Sequence, residues 1–473
     1  MTPARDSRVM KKETVPADEY MSDRKLKIFF SGIGGSGVSA IASFMSDRGH
    51  KVVGSDRNFD SGFGNPLCTI LKSKGITIVP QDGDAIDRSF DFALFSTAVE
   101  HDMPEFKKAI SLGIPIKTRP AYLAELSAEF KTIAVAGTSG KSTAAGMLAF
   151  LMNRLGLNPN FIGGGRVKQF KTETQPGNAL AGDSDILVIE ACESDGTITA
   201  YIPEHLILLN LQLDHHAIDT TAGLFKNIID NTKESIVINT DDQNLQKITT
   251  KDAVTFSIDS PSKYRATDIS LKPFRTDFSL NDIHFTLALP GKYNLYNALS
   301  CITILSEMGI PLDNIASILH KFEGIERRFD VHLKTRKYLV IDDYAHNPHK
   351  IASLMAAMKN IRKGICYIFQ PHGYGPTRMM MNEYINAFAQ NLGDSDHLIL
   401  LPIFYAGGTA KKDISSHDLA DGVKNKGKSV KVIGKREEIP GILHKWNTYV
   451  VFGARDETLS DFARQIAKAL LYP

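Results

Sequence analysis

Along this chain, short apolar runs of strand length alternate with stretches whose apolar residues return every three or four positions. Such alternation marks parallel sheets layered with helices. The first runs predict a strand at Lys25–Ser31, a helix at Gly35–Arg48 and a strand at Lys51–Gly54. Strands at Phe92–Ser96 and Ile114–Lys117 flank a helix at Met103–Leu112, and Tyr122–Phe130 reads as a short helix. The pattern then restarts with strand Thr132–Ala136, helix Ser142–Arg154, and strands Asp185–Glu190, Leu206–Asn210 and Ser235–Asn239. From Ala253 to Ala288 it becomes more β-like and irregular, before helices at Asn294–Met308 and Asp313–Lys321. A third set follows, with strands at Tyr338–Asp342, Gly364–Phe369, His397–Leu401 and Tyr449–Val451 and helices at Lys350–Met358 and Met380–Ala389. The expectation is α/β, with three units in tandem.

Composition narrows the classes without naming one. The chain has 473 residues, enough for roughly three domains. Apolar residues at 43% and charged residues at 23% match an ordinary soluble globular protein. A net charge of +2 gives no basic footprint for nucleic acid or an anionic membrane. No apolar run reaches the ~18 residues of a membrane helix. Met1–Arg24 is polar, carries both signs of charge and reads as a disordered leader rather than a secretory signal. Cys68, Cys192, Cys301 and Cys366 stand far apart, which argues against a zinc site or disulfide framework and fits a reducing cytoplasm. Monomer and homodimer both remain open.

Candidate chemistry begins at Gly137-Thr138-Ser139-Gly140-Lys141-Ser142-Thr143, between a strand and a helix. Glycines let backbone N–H groups turn toward phosphate oxygens, and a helix N-terminus adds a favourable dipole. Lys141 can reach the β- and γ-phosphates, and the Ser142 hydroxyl can ligate Mg²⁺. Val135 stands where the longer form of this loop has its first glycine. The reading is ATP or GTP.

Strand Asp185–Glu190 ends in a carboxylate, and the following strand leads to Asp214-His215-His216. Both ends fall at the same sheet edge as the phosphate loop, so Glu190 and His215 are candidate metal ligands beside Ser142. Gly32-Ile33-Gly34-Gly35-Ser36-Gly37 matches G-x-G-x-x-G, and Asp56 ends the next strand about 20 residues on. That fingerprint fits a pyrophosphate on a helix N-terminus with an acid near a sugar hydroxyl. NAD, FAD and a UDP-sugar all satisfy it, so a nicotinamide-dependent oxidoreductase is one alternative.

Taken as a series, these motifs resemble the Mur ligase family. The glycine loop with Gly54-Ser55-Asp56, Phe95-Ser96-Thr97-Ala98-Val99 and Arg119-Pro120-Ala121-Tyr122-Leu123 is similar to the family's UDP-binding unit. Ala134–Thr143 resembles its ATP loop, and Glu190-Ala191-Cys192-Glu193-Ser194-Asp195 with Asn210 and Asp214-His215 its metal-binding strand ends. Pro290–Ala298, Arg327-Arg328-Phe329-Asp330, Asp342–Pro348 and Phe369-Gln370-Pro371-His372 complete the order through residues 25–473. The chain departs from the family at Ser139 (histidine), Ser142 (threonine), Cys192 (aspartate) and Tyr293 (usually histidine). Gly373 and Pro376 stand where the family carries arginines, Gly408 at an acidic position and Arg455 at a glycine.

The resemblance implies a leader at 1–24, a Rossmann-like UDP-sugar-binding domain at 25–127, a P-loop ATPase-like central domain at 128–327 and a Rossmann-like domain at 328–473. It implies an ATP- and Mg²⁺-dependent ligase that joins an amino acid, alanine foremost, to the carboxylate of UDP-N-acetylmuramate through an acyl phosphate. Addition of a murein peptide is the alternative within the family. The nucleotide substrate is expected on Gly32, Gly34, Gly35, Ser36, Gly37, Asp56, Ser96, Thr97, Ala98 and Arg119. ATP is expected on Gly137–Thr143, Asn294, Asn297, Arg327 and Asp343. Catalytic roles fall to Lys141, Glu190, His215, Arg327 and His346, metal binding to Ser142, Glu190 and His215, and the amino-acid side to His346, His372 and Arg378.

Overall fold

The structure is a computed structural model describing residues 24–60, 65–97, 99–194, 196–213, 216–248, 252–405 and 411–472. Its first sheet is five-stranded and parallel, in the order Thr77–Ile78, Lys51–Ser55, Lys27–Ser31, Phe92–Phe95, Ile116–Thr118. Ile28, Phe29 and Phe30 are fully buried, as expected for a strand covered by helices on both faces. The chain leaves Lys27–Ser31 toward one neighbour and later returns on its other side. That reversal opens a crevice at the carboxyl end of this strand, where Gly32–Gly37 leads into helix Ser36–Asp47.

The second sheet has eight strands and is parallel except for its last pair, Asn160–Ile162 with Ala179–Leu180. Lys131–Ala136 lies inside it, between His205–Leu208 and Ile186–Glu190. The register sets Val135 beside Glu190 and Ala136 beside Leu208. The residues that follow these strands therefore emerge on either side of the phosphate loop.

The irregular stretch resolves into an antiparallel sheet of Thr267–Lys272, Arg275–Leu280 and Ile283–Leu287. Its second hairpin turns on Asn281 and Asp282, both at positive φ (48° and 63°), the residue types that tolerate the tight turn needed here. In the third sheet Asp330–Lys334 is an antiparallel edge, followed in space by Leu339–Asp343, Thr448–Phe452, Ile365–Phe369, His397–Leu400 and Val430–Val432. Helices Pro66–Ser73, Ile218–Asp230, Ser416–Asn425 and Thr458–Leu471 were not predicted from the pattern.

The units are joined firmly. Asn178 donates to the Ser36 carbonyl (2.7 Å) and to Ser39 Oγ (3.0 Å), and Arg48 donates to Asn160 Oδ1 (2.6 Å). One buried apolar cluster runs from Ile28 and Phe30 through Tyr122 and Leu126 to Ala134 and Ile189. Lys168 of the middle unit pairs with Asp330 of the last at 2.8 Å.

Candidate active site

The phosphate loop is laced to the strand end beside it. Asn210 accepts from the Ser139 N–H (2.8 Å) and donates to the Ser139 carbonyl (2.9 Å), while the Thr138 hydroxyl exchanges hydrogen bonds with the backbone of Gln212. Gly140 has φ +91°, and a Cβ there would stand 2.4 Å from Asn297 Oδ1. Only glycine lets helix Lys292–Glu307 press Asn297 onto the loop. Val135 is a fully buried strand residue, so the loop is short because the strand runs on to Ala136.

Lys141 opens helix Lys141–Arg154, its ammonium held by the Gly137 carbonyl (2.6 Å) and Glu193 Oε2 (2.7 Å). Burial works against that charge, but Glu193 foremost outweighs it and keeps the group above the ordinary lysine range. Beside it the Ser142 hydroxyl donates to Glu190 Oε2 at 2.9 Å, and Glu190 Oε1 accepts from the Gly164 N–H at 2.5 Å. A hydroxyl and a carboxylate facing each other behind a phosphate loop form an oxygen donor set suited to Mg²⁺. His215, with Ala98, lies outside the described residues.

These groups line a cavity of about 480 Å³, within the range of small-molecule sites. Asn294 and Asn297 line it from the middle unit, and Arg328, Asp343, His349 and Lys350 close it from the last. Ser139 Oγ is buried in its wall with no hydrogen-bond partner among the described residues, a donor left for a ligand oxygen. The charges suit a triphosphate: Lys141 with the Mg²⁺ ligands from the middle unit, and Arg328 and Lys350 from the last.

Asp343 is part of this wall and also of the domain junction. Its two oxygens accept from the N–H groups of Phe329 and Ala345, each at 2.7 Å. Burial pushes its carboxyl up to about 6, against the opposing pull of Arg328 and those N–H groups. A folded pKa above the unfolded value near ~4 means the linked stability is complete below ~4 and lost as pH rises through 6. Asp343→Asn should remove that slope. It also turns an amide NH₂ toward one N–H, so urea unfolding at pH 7 should show a loss of about 1–3 kcal/mol. An unchanged midpoint and slope would contradict this account.

Four expected residues lie outside the cavity. Arg327 does not line the cavity: it is buried, with Nη2 donating to the Gly453 carbonyl (2.8 Å) and Nε 3.4 Å from Asp342 Oδ2. The next residue, Arg328, lines it instead, because φ is positive at Arg327 (58°) and Phe329 (51°) and the turn directs alternate side chains differently. Gly137 lies behind the wall and offers its carbonyl to Lys141. His346 is outside the cavity, its ring 5.2 Å from that of His372, and Arg378 is tied to Asp413 and the Lys411 carbonyl.

Sequence reasoning missed Arg328, Glu193 and Asp241. Asp241 follows strand Ile236–Asn239 at the same sheet edge, which was the available signal. Burial raises its pKa, but the N–H groups of Asp259, Ile258 and Ser260 prevail and bring it down to about 2. Tyr296 also donates to it, at 2.9 Å.

In the first domain, a Cβ on Gly32 would stand 2.9 Å from Ser96 Cβ, and one on Gly37 2.9 Å from Arg119 Cδ. The loop, Ser96 and Arg119 are thus brought together, with Gly35, Ser36 and Thr97 exposed beside them. Asp56 is buried. Its oxygens accept from the Gly34 and Asn58 N–H groups, each at 2.9 Å, so it shapes the loop. Behind the loop a fully buried Glu105 bonds to the hydroxyls of Ser31 and Ser55, and burial raises its pKa.

Residues 27–131 match the Mur ligase family catalytic domain, 135–305 the Mur ligase middle domain and 327–455 the Mur ligase glutamate ligase domain. A UDP-N-acetylmuramate–L-alanine ligase of Fusobacterium nucleatum is 31% identical, covering 94% of this chain and 97% of that protein. The chain belongs to the Mur ligase family. The correspondingly named protein of Persephonella marina is 32% identical over 93% of this Mur ligase and 97% of its own length. Among solved structures, a UDP-N-acetylmuramate–alanine ligase from Thermotoga maritima superposes with a TM-score of 0.79 at 26% identity, covering 94% and 99% of the two chains. A murein peptide ligase from Psychrobacter arcticus shares the fold, with a TM-score of 0.69 at 22% identity. The three-domain α/β architecture and ATP-dependent C–N ligation are those of the family. Among the described residues no helix is long and apolar enough to cross a membrane.

Proposed function

We propose that this Mur ligase joins an amino acid, L-alanine foremost, to UDP-N-acetylmuramate at the expense of ATP, in cytoplasmic peptidoglycan precursor synthesis. The observation that carries the reading is the cavity in which Lys141, Ser142 and Glu190 face Arg328, Asp343 and Lys350 of a different domain. A second diphosphate loop at Gly32–Gly37, shaped by Asp56, supplies a place for the nucleotide sugar.

In the reaction, a carboxylate oxygen of the sugar attacks the γ-phosphorus of ATP, and the bond to the β-phosphate oxygen breaks as ADP leaves. The amine nitrogen then bonds to the acyl carbon, the carbon–oxygen bond breaks with phosphate leaving, and the amine gives up a proton. Phosphoryl transfer of this kind depends on positioning and charge neutralisation. Lys141 sits where it can exchange Glu193 for the γ-phosphate, and Ser139 and the loop N–H groups cradle the remaining oxygens. Ser142 and Glu190 would hold Mg²⁺, which neutralises charge on the phosphate oxygens. Closing the cavity between two domains keeps water from the acyl phosphate.

The test is phosphate release from ATP, Mg²⁺ and UDP-N-acetylmuramate with single amino acids or a peptide. Release that depends on an amino acid supports the reading, and silence with every amine rejects it.

A further inference from the structure

Three loops meet beyond the carboxyl ends of the third sheet. Tyr344–His346 follows strand Leu339–Asp343, Pro371–His372 follows Ile365–Phe369, and Gly453–Arg455 follows Thr448–Phe452, the strand between them. The rings of Tyr344 and His346 are 5.5 Å apart, and those of His346 and His372 5.2 Å. The Arg455 N–H donates to the Tyr344 phenol oxygen at 3.2 Å. On the same tyrosine ring rests the guanidinium of Arg328, 4.5 Å from the centroid, which lines the nucleotide cavity. Tyr344 thus links Arg455 to the phosphate site.

Arg455 has φ +64°, a conformation that glycine adopts freely and other residues hold only under strain. Its side chain is exposed and enters no ion pair or hydrogen bond among the described residues. The acids on its own loop are already engaged: Asp456 with Arg436, and Glu457 with Arg327 and Arg166. Arg378, another arginine near this edge, is held by Asp413. A strained backbone here presents an unneutralised guanidinium on the loop whose N–H meets Tyr344, at the sheet edge where ligands of such folds bind.

We propose that Arg455 binds the α-carboxylate of the incoming amino acid and so directs its amine toward the acyl phosphate. The inference rests on the ligase reading and names its second substrate's anchor. An amino acid entering this site must leave its own negative charge somewhere, and a guanidinium fork pairs with a carboxylate in two parallel hydrogen bonds. The residue takes no part in bond making.

The experiment compares the best amino acid with its amide, which keeps the amine and lacks the carboxylate, in the full-length enzyme. Arg455→Gly relieves the backbone strain and keeps the N–H bond to Tyr344, so the thermal midpoint should not fall. It should raise KM for the amino acid by about 10- to 100-fold, leave KM for ATP and the rate with the amide unchanged, and Arg455→Lys should fall between. An unchanged KM for the amino acid, or an equal rise for the amide, overturns the inference alone. A wild-type enzyme that releases phosphate with no amino acid overturns the ligase reading and the inference with it.

Discussion

Replacing Lys141 with methionine should lower kcat for ATP-dependent ligation by about a thousandfold, the scale of losing a key charge-stabilising group. Its ammonium sits at the head of helix Lys141–Arg154, where the phosphate loop lines the same cavity. The single variant carries a second effect. Glu193 is buried and would be left without its 2.7 Å partner, which costs about 3–5 kcal/mol for a buried charge of this kind. A fall in activity could then reflect unfolding. Lys141→Met combined with Glu193→Gln removes the charge conflict, so stability should recover while kcat stays low. The pair of measurements is phosphate release and denaturant unfolding. Ligation recovering in the double variant would remove Lys141 from its role.

Arg327→Ala should be the most damaging single change outside the cavity, destabilising the C-terminal unit by about 3–5 kcal/mol. It would strip the fully buried Asp342 of its nearest cation and leave the Gly453 carbonyl without a donor. His332, 3.8 Å from the same Asp342 oxygen, is too far to replace it. Arg328→Ala should behave oppositely, staying within about 0.5 kcal/mol of wild type while raising KM for ATP. A three-domain chain need not unfold in one step, so hydrogen exchange across 327–345 is the proper readout for the first variant. A stable Arg327→Ala protein with weak ATP binding would reverse the two assignments.

The neighbouring arginines show where sequence reading stops. Arg327-Arg328 is legible as a functional junction, but which side chain enters the cavity depends on positive φ at Arg327 and Phe329, and composition does not announce that. The phosphate loop was legible because strand, glycines, lysine and helix are contiguous, so local order carries all the information. Glu190 was legible for a related reason, since a carboxylate at a strand end in a parallel sheet points to the ligand edge. Its hydrogen bond to Ser142 adds the geometry. For Asp56, spacing shows that an acid stands near the loop, and not which N–H groups it meets. Glu193 and Asp241 depend on contacts across 52 and 17 residues of chain, beyond any local window. Helix Thr458–Leu471 covers the third sheet directly after strand Thr448–Phe452, and the reading of the pattern stopped at that strand.

Strand Thr448–Phe452 lies in the middle of the third sheet, yet it comes later in the chain than both strands it joins. A nascent chain that has not reached Thr448 lacks the strand joining Leu339–Asp343 to Ile365–Phe369. Domains fold in order during synthesis, so the first two can be complete while this sheet is still split. In that interval Arg327 has no Gly453 carbonyl to hold, and the Arg328–Asp343 wall has no firm seat. The growing chain can therefore possess its phosphate loop before it possesses the closed chamber that makes ATP cleavage useful. Translation order thus separates the phosphate loop from its opposing wall, and a chain stopped before Thr448 has the first without the seat of the second.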